Sequence, residues 1–406
     1  GYFLDTTSGT ITINLPAGAA GSIVSMADYA RTWQTNNVTV APNGAEKIGG
    51  VAADATLAVK GQSATFVYVD GTQGWINIQE TQTSQTGLTD FIMATVSGAC
   101  NTLTTAPDCA NMKLATFVGP GTFCVSSVAV CAADNVVSYL AIAGGGGGGG
   151  GYQTGGGGAG GYREVISPTS PYSGSPLDGY PTPGNRITVT VQGYPIASGG
   201  GGAGGGPASP PTAGNRGTCG VNSTFGGMTA AGGGSGGAFA NASPTVLEVG
   251  GPGGSGGGSG RSPATNAGGT GNTPPVSPAQ GTAGGPAQPP YGAPFNGGGV
   301  GGAICAGGPG TSSCYGVGGN GTPSSITGSA VTRAGGGGSG GDGPACTGST
   351  AGGGGNGAST PGTQIAQAGT ANKGGGGGGG QINGAIPTSA GGNGGSGIVI
   401  IRYKFQ

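Results

Sequence analysis

An apolar strand running directly into glycine decides the fold: residues 136–151 read VVSYLAIAGGGGGGGG. At the far end of the chain, residues 397–405 read GIVIIRYKF, which is a second apolar run. Short apolar runs bounded by glycine are typical of buried strands. We expect the strands near 136–142 and 398–405 to pair and close one domain that holds everything between them. Contacts so distant in sequence form slowly during folding.

Glycine accounts for 105 of the 406 residues and is unevenly distributed. Only 14 glycines precede residue 143, so the remainder of the chain holds nearly all of them. The first 142 residues carry nine acidic and four basic side chains, whereas the rest carries four acidic and eight basic ones. These differences in composition and charge predict two parts of different physical character.

Residues 1–82 have the pattern of a small all-β module. Ile11, Ile13 and Leu15 alternate with polar residues, which is the period of a half-buried strand. A hairpin is predicted over 65–78, where Asp70-Gly71 supplies the turn. Residues 83–111 are polar and turn-rich, and we interpret them as a linker. The glycine-rich domain then covers residues 112–406.

Three states suit a chain so rich in glycine: a flexible linker, a collagen triple helix, or packed polyglycine II helices. Collagen needs glycine at every third position, and runs such as Gly144–Gly151 break that register. Disordered linkers are usually highly charged, whereas this segment is nearly uncharged. Polyglycine II helices have three residues per turn and no internal hydrogen bonds, so neighbouring helices must satisfy their backbone groups.

We therefore predict an all-β fold with essentially no α-helix. It combines a small N-terminal β-sandwich-like module with a β-framed domain of packed polyglycine II helices. In this arrangement glycine is the packing residue, because helices without Cβ atoms can approach closely enough for lateral hydrogen bonds.

Composition also excludes several classes of function. Histidine is absent, which removes Ser-His-Asp and Cys-His catalysis and histidine metal sites. Basic residues are scattered at a net charge of −1, which gives no electrostatic footprint for nucleic acid. No apolar run approaches the roughly 18 residues of a membrane span. We predict no enzyme activity, no cofactor or metal site, no nucleic-acid partner and no membrane insertion, and we expect further residues before Gly1.

The acids that could supply a catalytic carboxylate pair share no motif: Glu164, Asp178, Glu248 and Asp342. Aromatic residues recur through the glycine-rich part and have two interpretations. They either cover the faces of the glycine helices or contact a ligand from exposed turns, since tyrosine in Ser/Gly loops forms adaptable recognition surfaces. The candidate receptor contacts, all near Pro-rich turns, are Tyr172, Tyr180, Tyr291 and Phe295.

Eight cysteines form no CxxC pair, and without histidine a zinc site would need four scattered thiolates. Spacing alone does not fix disulfide connectivity, and reduced, buried cysteines are the alternative. Disulfides would imply an oxidising, extracellular setting. The candidate local disulfides are Cys100/Cys109, Cys124/Cys131 and Cys305/Cys314, which leaves Cys219 and Cys346.

Several stretches resemble proteins of tailed bacteriophages. SYLAIA running into the glycines at 138–151, GGGGAGGYRE at 155–164, ITVTV at 187–191 and GGSGIVIIRY at 394–403 resemble the glycine-rich domain of tail fibre and adhesin proteins. Upstream, LDTTSGTITINLP at 4–16 and VDGTQGW at 69–75 are similar to a module of virion structural proteins from marine phages.

The resemblance implies an appendage on the virion surface that binds a bacterial surface glycan or outer-membrane protein through loops on a polyglycine II sandwich. It implies a homo-oligomer, commonly a trimer, without enzymatic activity. The N-terminal module would attach or oligomerise it, in contact with other virion tail proteins. A purely structural role, as a capsid decoration or an extracellular filament subunit, is the alternative.

Overall fold

A computed structural model describes residues 1–81, 91–208, 214–239, 247–261, 267–287, 297–311, 316–341, 348, 350–359, 365–382 and 390–406. Within these residues the predicted all-β class is confirmed. The helices there are short 3-10 turns at Ala132–Asn135, Pro183–Asn185 and Thr350–Gly352, and none of the described helices has the length and apolarity to cross a membrane. The chain divides into two compact units, Gly1–Asp90 with Ala129–Cys131 and Phe91–Val128 with Ala132–Gln406.

The first of these, the N-terminal unit, contains two small sheets. Its strands are β1 Tyr2–Leu4, β2 Ile11–Asn14, β3 Ile23–Asp28, β4 Val38–Ala41, β5 Ala55–Leu57, β6 Ser63–Asp70 and β7 Gly74–Thr81. One sheet has the order β1-β3-β6-β7 and the other β2-β4-β5. Both contribute to one apolar core, in which Trp33 and Trp75 are fully buried.

The predicted hairpin at 65–78 is present as β6 and β7. Asp70 ends β6, and its carboxylate accepts the backbone N–H groups of Thr72 and Gln73, each at 2.8 Å. These two hydrogen bonds lower the pKa of the Asp70 carboxyl. The aspartate thus stabilises the turn that the Asp-Gly dipeptide predicts.

The second unit, the glycine-rich unit, holds the remaining strands. They are β8 Met93–Val96, β9 Thr102–Ala106, β10 Cys109–Phe117, β11 Gly121–Ser127, β12 Val136–Ile142, β13 Tyr162–Val165, β14 Ile187–Thr188, β15 Gly193–Ile196, β16 Ser223–Phe225, β17 Met228–Ala230, β18 Thr322–Ser324, β19 Val331–Arg333 and β20 Ile398–Lys404. A sheet of order β13-β12-β20-β10-β9, with β14 also on β12, lies beside the sheet β15-β11-β8, and hairpins β16–β17 and β18–β19 are separate.

The two apolar runs at opposite ends of this unit pair as predicted. β12 and β20 are antiparallel neighbours, with Leu140 opposite Ile400 and Ile142 opposite Ile398. Both faces of this central pair are buried, one in a core with Phe123 and Phe225 and the other in a core with Leu114. The strands that flank the glycine segments are thus adjacent in the large sheet.

The predicted linker at 83–111 is wrong for residues 91–111. This stretch contributes β8, β9 and the start of β10, and β9 pairs with β10 at the edge of the large sheet. Its threonines suggested a polar connection, yet threonine is β-branched and suits a half-exposed edge strand. Residues 83–90 lie outside the described residues.

The eight-glycine run after β12 forms a central helix whose amides point in three directions with a repeat of three residues. Three segments accept these hydrogen bonds. Along each of them the residue numbers fall as those of the central helix rise, so all three segments run antiparallel to the central helix. The hydrogen bonds, at 2.8–3.0 Å, join Gly144 to Val221, Gly147 to Thr218, Gly150 to Asn215, Gly145 to Gly395, Gly148 to Gly392, Gly146 to Gly158 and Gly149 to Gly155.

The carbonyls of the central helix follow the same repeat towards three further segments. Along each of these segments the residue numbers rise with those of the central helix, so all three segments run parallel to it. The donors, again at 2.8–3.0 Å, are Gly233 and Gly236 to Gly144 and Gly147, Gly202 and Gly205 to Gly145 and Gly148, and Gly377 and Gly380 to Gly146 and Gly149. Six neighbours around a helix of three residues per turn are the lateral packing expected of polyglycine II, and we call the assembly the glycine bundle.

Side chains have no room inside the glycine bundle. A Cβ atom on Gly146 would lie 2.1 Å from the carbonyl oxygen of Gly234, and one on Gly148 would lie 2.0 Å from that of Gly378. Both obstacles are backbone atoms of hydrogen-bonded neighbours, which cannot move without breaking the hydrogen bonds of the glycine bundle. The glycine runs are therefore required by packing.

Polar side chains cover amides at the outer rows of the bundle. Thr218 Oγ1 accepts the N–H of Ala203 at 2.7 Å, and Asn393 Oδ1 accepts the N–H of Gly204 at 2.8 Å. Thr218 and Asn393 belong to the two neighbouring glycine segments, whose backbone groups also donate to this segment. Their side chains thus accept amides for which the described residues provide no backbone carbonyl.

We predict that Gly146→Ala destabilises the glycine-rich unit by about 3 kcal/mol, the upper range for overpacking a filled core. The added methyl group strikes the backbone of the neighbouring helix. Urea unfolding monitored by circular dichroism measures the free energy of unfolding.

Gly200→Ala is the matched control, because a Cβ there meets no atom within 4 Å. We expect it to change the free energy of unfolding by no more than about 0.5 kcal/mol, as exposed substitutions usually do. Equal effects of the two substitutions would contradict the close packing of the glycine helices around Gly146.

Alkaline pH should destabilise the glycine-rich unit through two buried tyrosines. Burial raises the pKa of Tyr139 and of Tyr403 to about 12 each, whereas the unfolded chain loses these protons near pH 10. The stabilisation is complete below pH 10 and disappears as the pH rises to about 12, at about 2–3 kcal/mol per tyrosine. Denaturant unfolding between pH 9 and 12, together with tyrosinate absorbance, measures it. Tyr139→Phe should make the decline shallower, and an unchanged slope would contradict the assignment.

Candidate functional site

The two ends of the glycine bundle differ in what they join. At the proximal end the helices continue into strands, since Ala143 follows β12 and Gly397 precedes β20. Hairpins β16–β17 and β18–β19 also connect helices there. The distal end is marked by Gly150, the last glycine of the central helix to take part in its hydrogen-bond repeat.

Connections from many helices converge on the distal end. Asn215 and Gly150 exchange backbone hydrogen bonds, Gly214 donates to Phe239, and Arg261 donates to Gln153. Corresponding bonds place there the described residues that flank segments 209–213, 240–246, 262–266, 288–296, 312–315 and 383–389. The described ends of these glycine segments thus meet at one end of the bundle.

A tight turn at residues 151–154 forms part of this end. Gly151 and Gln153 have positive φ values of 118° and 54°, which lets the chain reverse within a few residues. The backbone N–H of Gln153 donates to Gln381 Oε1 at 2.7 Å, and its carbonyl accepts the N–H of Arg261 at 3.0 Å. A side chain from one separate segment and the backbone of another therefore fix this turn.

Two aromatic rings and an arginine meet at the distal end, and we call Tyr152, Phe239 and Arg261 the distal cluster. The rings of Tyr152 and Phe239 are edge to face, with centroids 5.9 Å apart. The guanidinium carbon of Arg261 lies 5.4 Å from the first centroid and 5.5 Å from the second. Tyr152 and Arg261 are half-buried, while Phe239 is buried. A planar cation held on aromatic faces is a pre-organised recognition element.

The candidate contact Tyr172 lies at the proximal end and packs into the domain. Its half-buried side chain contacts the core around Leu114, and the guanidinium carbon of Arg402 lies 5.7 Å from its ring centroid. Burial, followed by the nearby Glu164 carboxylate, raises the pKa of the Tyr172 phenol. The expectation that Tyr172 is exposed on a turn is wrong, because Pro-flanked turns on this side pack against the sheet.

Tyr180 is likewise half-buried at the proximal end, against the core that contains Phe225. The guanidinium carbon of Arg186 lies 4.2 Å from its ring centroid, and Arg186 Nε donates to the Tyr180 carbonyl at 2.8 Å. One face of this ring is therefore occupied by the protein itself. Tyr291 and Phe295 lie outside the described residues.

The described cysteines are free thiols, so the disulfides Cys100–Cys109 and Cys124–Cys131 are not formed in the structure. Cys100 and Cys109 lie at opposite ends of β9, and a five-residue strand spans about 16 Å, well beyond the roughly 7 Å between Cα atoms that a disulfide allows. Cys305 is also free, and Cys314 lies outside the described residues. The described thiols are exposed or half-buried, which differs from the buried alternative.

The lone carboxylates hold loops together. Glu164 is buried and accepts hydrogen bonds from Tyr162 Oη at 3.0 Å, from the N–H of Ser175 at 2.9 Å and from Ser324 Oγ. Asp178 Oδ1 accepts the N–H groups of Ile166 and Tyr180. Glu248 is also buried, and Asp342 lies outside the described residues. Glu164 thereby joins β13 to the loop after it and to β18.

Sequence reasoning did not select the distal cluster, although a signal was present. Tyr152 directly follows the eight-glycine run, Phe239 follows Gly236-Gly237-Ala238, and Arg261 follows Gly260. Each is the first large residue after a glycine segment that runs away from the sheet. A bulky side chain at that position marks the end of the glycine bundle, beyond which neighbouring backbones no longer exclude side chains.

Comparison with known proteins gives one family. The glycine-rich domain family matches residues 118–404, which is well over half of the chain. No curated protein matches the chain.

We predict that Glu164→Gln destabilises the glycine-rich unit by about 2–3 kcal/mol. The amide NH₂ would face donors where the carboxylate accepts three hydrogen bonds, which leaves buried donors without acceptors. Tyr162→Phe, which removes only one donor from the same group, should cost about 1 kcal/mol. Denaturant unfolding of both variants measures the difference, and a smaller effect of Glu164→Gln than of Tyr162→Phe would contradict this role.

Proposed function

The chain belongs to the glycine-rich domain family, and on that premise we propose that it is a virion protein of a tailed bacteriophage that binds the host cell surface. In this role it is a tail fibre or receptor-binding adhesin. The glycine-rich unit presents the binding end, and the N-terminal unit attaches or oligomerises the protein beside other virion tail proteins. The ligand class is a bacterial surface glycan or an outer-membrane protein.

The convergence of connections on one end of the bundle carries this proposal. Interior glycines such as Gly146 accept no side chain, whereas the described distal positions 152, 239 and 261 hold large ones. Recognition residues concentrate on loops held by a rigid scaffold. A bundle tied by backbone hydrogen bonds and attached to a buried β-sheet is a scaffold of this kind.

The distal cluster has the chemistry that such a surface requires. Tyrosine presents a large amphipathic area at low entropic cost. Arginine pairs with carboxylates and phosphates in a fixed planar geometry, and both groups occur in bacterial surface glycans. Binding through several copies on one particle would combine modest individual affinities into strong attachment.

Substitution at the distal end should weaken attachment to cells. We expect Tyr152→Ala and Arg261→Ala each to lower the affinity of the purified protein for host cells about tenfold, the loss typical of one contributing residue. Tyr291→Ala and Phe295→Ala test the two remaining candidates that the sequence offers. The measurements are binding of labelled protein to whole cells and competition with phage adsorption.

Val221→Ala is the control, because Val221 is 59% exposed and lies at the proximal end. We expect it to bind as the unchanged protein does. If the unchanged protein neither binds cells of any strain that the phage infects nor blocks adsorption, the receptor-binding role is wrong.

A further inference from the structure

One face of the N-terminal unit carries no charged side chain among the residues that the structure describes. In the sheet β1-β3-β6-β7, alternate side chains enter the core and the others point outward. Charged side chains are missing from the outward set within the described part of these strands. Its members are Phe3, Ile23, Ser25, Ala27, Ser63, Thr65, Val67 and Ile76. Depletion of charge is the compositional mark of an interface core.

Large apolar side chains stand exposed on this face. Phe3 is 78% exposed, Ile23 is 64% exposed, and the neighbouring Ile78 on β7 is 62% exposed. Burying Phe3 alone covers on the order of 150 Å², so this face offers a few hundred Å² of apolar surface, which is the size of patch that marks an interaction site. An interface of this size lies at the weak, reversible end of the range.

The polar groups at the centre of the face are already satisfied. Ser25 and Thr65 lie opposite each other on β3 and β6, and their hydroxyl oxygens are 3.1 Å apart in a hydrogen bond. This hydrogen bond persists when a partner covers the two side chains, so burial of the pair costs less than burial of two unpaired hydroxyls. The face can therefore be buried as a whole.

The two ends of this face differ in shape and in apolar character. Phe3 projects at one end of it, beside a groove of about 210 Å³ whose lining includes Ser25, Ala27 and Ser63. Ile23, Val67 and Ile76 are opposite one another and form an apolar row at the other end. When two such faces are stacked with strands in opposite directions, the Phe3 end of each meets the apolar row of the other.

We propose that this face binds a second copy of the chain, giving a dimer in which two sheets pack face to face about a two-fold axis. A self-complementary surface is what an isologous contact requires. The dimer differs from the three-fold arrangement that the phage resemblance implies, and it is independent of receptor binding by the glycine-rich unit.

Sedimentation equilibrium of the full chain tests this assembly. We expect a dimer of two 37.5 kDa chains that dissociates on dilution. Phe3→Asp and Ile23→Asp should each raise the dissociation constant at least tenfold, because each places a charge in the apolar contact. Circular dichroism of each variant verifies that the strands remain folded.

Val51→Asp is the matched control, since Val51 is 62% exposed in the same unit but lies outside the four strands of this face. It should leave the dimer unchanged. A monomer at the highest concentration, a trimer, or a dimer that survives both Phe3→Asp and Ile23→Asp would overturn the proposal. A monomer would assign the face to a different protein.

Discussion

The lateral hydrogen bond between backbones of neighbouring glycine helices is the interaction on which the glycine-rich unit depends. A polyglycine II helix satisfies none of its own amides or carbonyls. An isolated helix would therefore lose the high conformational entropy of glycine and gain no hydrogen bond to offset that loss. The central helix instead exchanges hydrogen bonds with six neighbours, three through its amides and three through its carbonyls. Every neighbour must approach to a distance that a Cβ atom forbids, and the sequence of the unit follows from this requirement.

The β-sheet fixes the positions at which the glycine helices start, which the repeating hydrogen bonds of the glycine bundle do not define. β12 delivers the chain at Ala143 directly into the central helix, and β20 receives it from Gly397. Because these strands are hydrogen-bonded neighbours with both faces buried, they fix where the first and last helices start. Apolar side chains thus determine the register and position of a bundle that has almost no side chains of its own.

Sequence patterns predicted the parts of the fold that follow a short-range rule. The apolar runs before Gly144 and after Gly397 identified the closing strands, and the three-residue geometry of polyglycine II followed from excluding collagen and coil. Edge strands were missed at 91–111, because threonine-rich edges look like polar connections. Tyr172 was misplaced for a related reason: a Pro-flanked turn can pack on a sheet or extend into solvent, and only the direction of the preceding helix distinguishes them. That direction also identifies Tyr152, Phe239 and Arg261 as distal.

The same constraint separates stability from recognition within one chain. A side chain inside the bundle strikes a neighbouring backbone, as the 2.1 Å approach at Gly146 illustrates, so interior positions tolerate almost no change. The proximal loops are tied to the core through Glu164 and through the stacking of Arg186 on Tyr180, which limits substitution there as well. At the distal end, the described large side chains of Tyr152, Phe239 and Arg261 stand just beyond the last glycine of their segments, where no neighbouring helix excludes them. The packing requirement of the glycine helices therefore confines side-chain variety to the ends of the bundle.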